Sequence, residues 1–180
     1  MKRLVQVIAA ALPILSMVML ITGLAVDTAS ALDIDFLQAV AVFQAAQARS
    51  NAIGVPMDIA IVDRGGRLKV FGRLDGAWVG SIDIAQAKAF TATAFCNDNA
   101  NPVCVNTSQL QPLVQPGGPL FGLQATNRKD GIVAFPGGVT LCTASGVPIG
   151  AIGVSGGSIQ QDQDVARTAA VNTGFLCTGQ

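Results

Sequence analysis

The sequence predicts an α+β domain, and three observations carry that prediction. Met57–Asp63 and Arg67–Arg73 are short strand-like runs around Arg64-Gly65-Gly66, the pattern of a β-hairpin. Residues 33–53 and 82–95 repeat small apolar side chains at helical spacing, and a third helical stretch, 159–173, opens on an S-x-x-Q motif. The resulting order is helix, two strands, helix, long loop, three strands, helix.

Each element has its own signals. In the first helix Phe36, Val40, Phe43 and Gln47 mark one stripe, and Ala41, Ala45, Ala48 and Ala52 mark a small-residue stripe beside it. Asp33 is the expected N-cap, Asp35 suits the positive end of the helix dipole, and Gly54 with Pro56 stops the helix. Ser81 is the expected cap of the second helix, which places Lys88 among Ala85, Ala89 and Ala92. Residues 97–130 read as loop, broken by Pro102, Pro112, Pro116 and Pro119, with one short helix near 108–113. Ile132–Phe135, Val139–Thr143 and Val147–Ser155 read as the remaining strands. Ser158 and Gln161 form a capping box for the last helix.

The N-terminus reads differently from the rest. Lys2 and Arg3 precede a long apolar run, and Ala29-Ser30-Ala31 follows as a small-x-small cleavage pattern. Residues 1–31 are therefore expected to be a secretory signal peptide, and 32–180 a single domain in the periplasm or outside the cell, with no membrane span after cleavage. Removing Lys2, Arg3 and Asp27 from the 11 basic and 11 acidic side chains leaves nine and ten, a net charge near −1. That balance gives no electrostatic reason to bind nucleic acid or an anionic membrane. Charged residues are sparse at 12%, so much of the surface is neutral and suited to contact between subunits.

Absences narrow the chemistry. There is no His and no Tyr, and every acid is Asp. A Ser–His–Asp or Cys–His nucleophilic site is excluded, and a zinc site could draw only on Cys and Asp. The four cysteines, Cys96, Cys104, Cys142 and Cys177, are even in number behind an export signal, which suggests two disulfides. Three pairings are possible. Cys96 and Cys104 flank a short polar loop, which favours that pair and leaves Cys142 with Cys177.

Several motifs follow one another in order along residues 32–180. They are Ile61-Val62-Asp63-Arg64-Gly65-Gly66, Gly72-Arg73-Leu74-Asp75-Gly76-Ala77, Ala87-Lys88-Ala89 and Gly122-Leu123-Gln124-Ala125-Thr126-Asn127. Phe135-Pro136-Gly137-Gly138-Val139, then Gly150 to Gly157, and finally Gln161-Asp162 complete the series. Singly each is weak; their succession resembles the GlcG/HbpS family of haem-binding proteins. The resemblance implies a profilin-like central antiparallel sheet of about five strands flanked by helices. It implies homo-oligomers, often octamers, and binding or oxidative breakdown of haem, or binding of iron or a related tetrapyrrole. The chain departs from haem-binding members in having no His or Tyr to serve as an axial ligand.

The candidate site residues each admit two readings. Amides near Gly156, Gly157 and Ser158 could cradle a carboxylate such as a haem propionate, or Ser158 and Gln161 could already satisfy them as a cap. Asp162 near that helix start would repel an external anion. Arg73 and Lys88 could hold an anionic ligand beside Asp75, with Asp63 or Asp162 as base or iron ligand, or the same charges could form an ion-pair network. Trp78 could stack on a flat ligand or pack a subunit contact. Gly137 and Gly138 allow close approach, and by resemblance border the family's pocket. The first functional expectation is a haem or tetrapyrrole binder of the scavenging or sensing kind. The second is a small-metabolite enzyme using Lys88 or Asp63 as base with Arg73 gripping a carboxylate. The third is a structural accessory of an exported system. If haem binds, Met57 is the first axial candidate, and the metal ligand set is otherwise open.

The low-charge, alanine-rich helices and the resemblance together predict a homo-oligomer. Light scattering at micromolar concentration is expected to give a mass several times that of one chain.

Overall fold

A computed structural model describes residues 33–97, 102–126 and 131–177. The expected signal peptide lies outside the described residues. The chain runs α1 (Phe36–Ala52), β1 (Asp58–Asp63), β2 (Leu68–Arg73), α2 (Ser81–Ala94), α3 (Thr107–Leu110), β3 (Gly138–Cys142), β4 (Pro148–Ser155) and α4 (Ile159–Asn172). The four strands form one antiparallel sheet in the order β2-β1-β4-β3. The fold class is the α+β class expected from the sequence, with one strand fewer.

The missing strand is the one expected at Ile132–Phe135. Ile132 and Ala134 are buried there, but the Val133 amide donates to Thr91 Oγ1 on α2 at 3.0 Å. That segment therefore spends a backbone donor on a helix side chain and not on a neighbouring strand. The hairpin is as expected, with Gly66 at φ 74° in its turn.

Two caps differ from expectation. Asp35, not Asp33, caps α1, in a capping box with Gln38. Asp33 instead accepts from the Arg64 amide at 3.0 Å, tying the chain before α1 to the hairpin turn. Ser81 is the first residue of α2 and not its cap; Gly80 holds the cap position without a side-chain bond. The capping box of Ser158 and Gln161 on α4 is present.

The two faces of the sheet are packed differently. Ile59, Ile61, Ile152 and Val154 face α1 and α4, which contribute Ala39, Val42 and Ala46 and then Val165, Ala166 and Ala169. The buried side of α1 is thus the line Ala39, Val42, Ala46 and Ser50; the alanine stripe read from the sequence lies on the other side, with Ala41, Ala48 and Ala52 exposed. Ala60, Val62 and Ala151 face α2 through Ala85, Ala89 and Ala92. Small residues bring α2 very close: a Cβ on Gly153 would collide with the Ala85 carbonyl and the Ala89 amide.

The edge strand β3 is sealed. Thr107 Oγ1 accepts from the Gly138 amide at 2.8 Å, Asn106 Oδ1 from the Thr140 amide at 2.9 Å, and the Phe175 carbonyl from the Cys142 amide at 2.7 Å. No donor in that row is left to template an unwanted strand. The two covering segments are held by the two disulfides, Cys96–Cys104 and Cys142–Cys177, the pairing expected from the sequence.

The disulfides close loops of 8 and 35 residues. Replacing Cys142 and Cys177 by Ser is expected to cost about 4 kcal/mol, and replacing Cys96 and Cys104 about 2.5 kcal/mol, on loop-closure entropy. Urea unfolding of the two double variants checks the order, and non-reducing peptide mapping checks the pairing.

Candidate functional site

Antiparallel pairing brings four loops to one end of the sheet. The start of β1, the end of β2, the end of β4 and the start of β3 all lie there, because Asp58 pairs with both Arg73 and Ser155, and Gly138 pairs with Gly153. Gly137, Gly138, Arg73, Asp75, Trp78 and the Gly156-Gly157-Ser158 turn therefore gather at this end. Asp63 does not. It sits at the far end of β1, roughly 17 Å away at the usual strand rise. There its Oδ1 accepts from the Arg67 amide at 2.9 Å, which closes the hairpin turn. The cluster of Asp63, Arg73 and Lys88 expected from the sequence is not assembled, because a strand separates its ends.

Lys88 reaches this end from α2 and is fully buried. Its Nζ lies 2.6 Å from Asp162 Oδ2 on α4, donates to the Val154 carbonyl at 2.9 Å, and stands 4.7 Å from the centre of the Phe135 ring. The pair links the helix on one face of the sheet to a helix on the other. Burial pushes the Lys88 ammonium down and the Asp162 carboxyl up from their ordinary ranges, and each charge opposes the shift of the other. The Gly157 amide completes the arrangement by donating to Asp162 Oδ1 at 2.9 Å. The anion in the glycine-turn cradle is thus the protein's own carboxylate, and the Ser158 amide is taken by Gln161 Oε1 at 2.9 Å.

Gly137 is required by this packing. A Cβ there would stand 2.7 Å from Lys88 Nζ and 2.5 Å from the Val154 carbonyl oxygen, with φ at 123°. On Gly138 a Cβ would strike the Lys88 carbonyl. The close approach inferred for these two glycines is real, and what approaches is the lysine.

Arg73 is exposed, and its Nε donates to the Ala77 carbonyl at 3.1 Å, which fixes the root of the guanidinium. Arg73, Leu74 and Asp75 form one wall of an open cavity of about 530 Å³; the end of α1 and Pro56 form the other. The volume is in the range of small-molecule sites. Trp78 is 73% exposed and Val79 beside it 70%. Met57 is fully buried in the main core, where it could not reach a ligand.

One residue of this end escaped the sequence reading. Asp58 is fully buried, and among the described residues neither carboxylate oxygen has a hydrogen-bond partner. Burial pushes its carboxyl up, and the charge of Arg73 opposes that. The available signal was an acid two residues before Ala60 and four before Val62, on the side of β1 that faces α2. Among the described residues no group of three or more Cys or Asp gathers as a metal site, and no helix is long and apolar enough to cross a membrane.

Replacing Lys88 by Met leaves Asp162 buried without its cation, and is expected to cost about 3–5 kcal/mol. Adding Asp162→Asn, whose Oδ1 still accepts from Gly157, is expected to recover more than half of that loss. Urea denaturation of the single and double variants checks both values.

Residues 34–171 match the family model described as haem degrading protein HbpS-like. A 15.0 kDa protein from the dhaT–dhaS intergenic region of Citrobacter freundii is 40% identical over 126 residues, covering 70% of this chain and 82% of that protein. The corrinoid adenosyltransferase PduO of Salmonella typhimurium is 38% identical over 133 residues, which is 73% of this chain and 37% of PduO. The chain thus spans little more than a third of that enzyme. The crystal structure of a PduOC:heme complex superposes with a TM-score of 0.67 at 35% identity, covering 77% of this chain and 94% of the other. The chain belongs to the HbpS-like family.

Proposed function

We propose that this member of the HbpS-like family is an exported, oligomeric binder of haem or a related tetrapyrrole, acting as a scavenging or sensing accessory. The observation that carries the reading is the likeness to the haem complex of PduOC across nearly the whole of that domain. The corrinoid adenosyltransferase PduO, which contains a similar segment, supports a tetrapyrrole as the ligand class.

The residues present fit such a ligand in one respect and constrain it in another. Arg73 is exposed and anchored through Nε, so its terminal nitrogens suit a propionate. Trp78 offers an exposed ring for a flat macrocycle. An axial ligand of the usual kinds is not on offer: the chain has no His or Tyr, Met57 is in the core, and among the described residues no cysteine is free. Affinity then comes from apolar contact and the carboxylates. Lys88 is withdrawn from this role, and from that of a general base, by its burial against Asp162.

Binding of this kind depends little on iron. Iron-free protoporphyrin is expected to bind within about tenfold of haem, a difference under roughly 1.4 kcal/mol. Arg73→Ala is expected to weaken both ligands alike, and Met57→Leu to leave them unchanged. Absorbance titrations of the purified protein check this. Strong haem binding with no porphyrin binding would point to an axial ligand and overturn the account; binding of neither would overturn the tetrapyrrole reading.

A further inference from the structure

Asp58 is a buried acid at the head of β1. Buried carboxylates normally accept several hydrogen bonds, and this one accepts none from the described residues. Its place in the sheet is well defined. Asp58, Ala60 and Val62 share the side of β1 that faces α2, and the pairing register sets Arg73 of β2 directly opposite Asp58. Phe71, opposite Ala60, packs on that same face, so Arg73 two residues on projects to it as well.

We propose that Asp58 is a positioning residue for Arg73. Its ionisation draws guanidinium charge away from a bound carboxylate, so an anionic ligand is held more tightly in acid and is captured together with a proton. The proposal rests on Arg73 being the carboxylate anchor.

The charges around Asp58 leave Arg73 as its counterpart. On β4 the neighbour is Ser155, which is neutral. On α2, Lys88 is committed to Asp162 of α4, and Asp83 is exposed. In the connection after β2, Asp75 is exposed. Among the described residues Asp58 and Arg73 make no direct ion pair, so they act on each other through space. Burial raises the Asp58 carboxyl and Arg73 opposes it. A carboxylate placed on Arg73 cancels that opposition and adds a negative charge nearby, so Asp58 takes up a proton. The sign follows. Below its titration Asp58 is neutral and Arg73 offers its full charge; above it, Asp58 is negative and the ligand is held less well.

The test compares the wild type with Asp58→Asn, using iron-free protoporphyrin from the carboxylate range to neutrality. The porphyrin's own carboxylates titrate equally in both proteins, so the difference between them reports Asp58. The wild type is expected to lose about fivefold in affinity relative to the variant as Asp58 ionises, the size of a partly screened charge pair. The two are expected to bind alike in acid. Calorimetry in two buffers of different ionisation heat is expected to show greater proton uptake by the wild type. Parallel affinity profiles with equal proton uptake would overturn the proposal.

A second measurement needs no ligand and no Asp58 variant. Carboxyl-carbon NMR is expected to show the Asp58 titration moving to higher pH in Arg73→Gln and returning in Arg73→Lys. No movement in Arg73→Gln would overturn the coupling even if porphyrin binds. If porphyrin fails to bind the wild type, the tetrapyrrole reading falls, and this NMR titration alone decides whether Arg73 controls Asp58.

Discussion

The ion pair between Lys88 and Asp162 organises the site end of the molecule. Two charges removed from water cost several kcal/mol each, and their attraction offsets that only with good geometry and further hydrogen bonds. Here the further bonds come from the Val154 carbonyl and the Gly157 amide. Each imposes a condition on the chain. The end of β4 must stop beside the lysine, the turn after it must aim an amide at Asp162, and the loop before β3 must pass without a side chain at Gly137. The glycine motifs at 137–138 and 156–157 are consequences of one buried lysine as much as of any ligand.

That lysine arrives where it does because α2 lies unusually close to the sheet. Gly153 and the alanines at 85 and 89 leave almost nothing between helix backbone and strand. A layer this thin offers little apolar area per residue, so it depends on exact fit more than on bulk. The opposite layer, with Ile59, Ile61, Ile152 and Val154 against two helices, supplies most of the large buried side chains. The disulfides and the side chains of Asn106 and Thr107 hold the edge strand beside the thin layer, where packing alone has least to give.

What the sequence made legible was local. The hairpin, the Ser158–Gln161 capping box and the Cys96–Cys104 bridge rest on neighbours in the chain or on a short loop, the Cys142–Cys177 bridge follows from the first by elimination, and all are present. The strand expected at Ile132–Phe135 failed because apolar runs of that length say that a segment is buried, not what its amides bond to; Thr91 took the decisive one. The site was legible in its members and not in its grouping. Arg73, Asp75, Lys88, Asp162 and the glycines were singled out, but Asp63 was grouped with Arg73 on sequence proximity, and a full strand lies between them. Lys88 could be read equally as a ligand anchor or a structural cation, since only burial distinguishes the two. Asp58 was hidden at the head of a strand whose middle is apolar, where alternation places it but does not reveal that no described residue bonds to its carboxylate.

The same distinction bears on how an anion could be held. A glycine turn leading into a helix is a ready cradle for a carboxylate. In this chain Asp162 already fills it, and Lys88 balances that internal charge. An external carboxylate entering there would displace a bonded, buried partner and leave Lys88 to be compensated again. Arg73 carries no such commitment: one nitrogen is spent on a backbone carbonyl, and the residue is exposed. The division commits the buried cation to the fold and leaves the exposed one without an ion pair among the described residues. The most conspicuous glycine motifs thus surround an internal ion pair, whose geometry is reason enough for their lack of side chains.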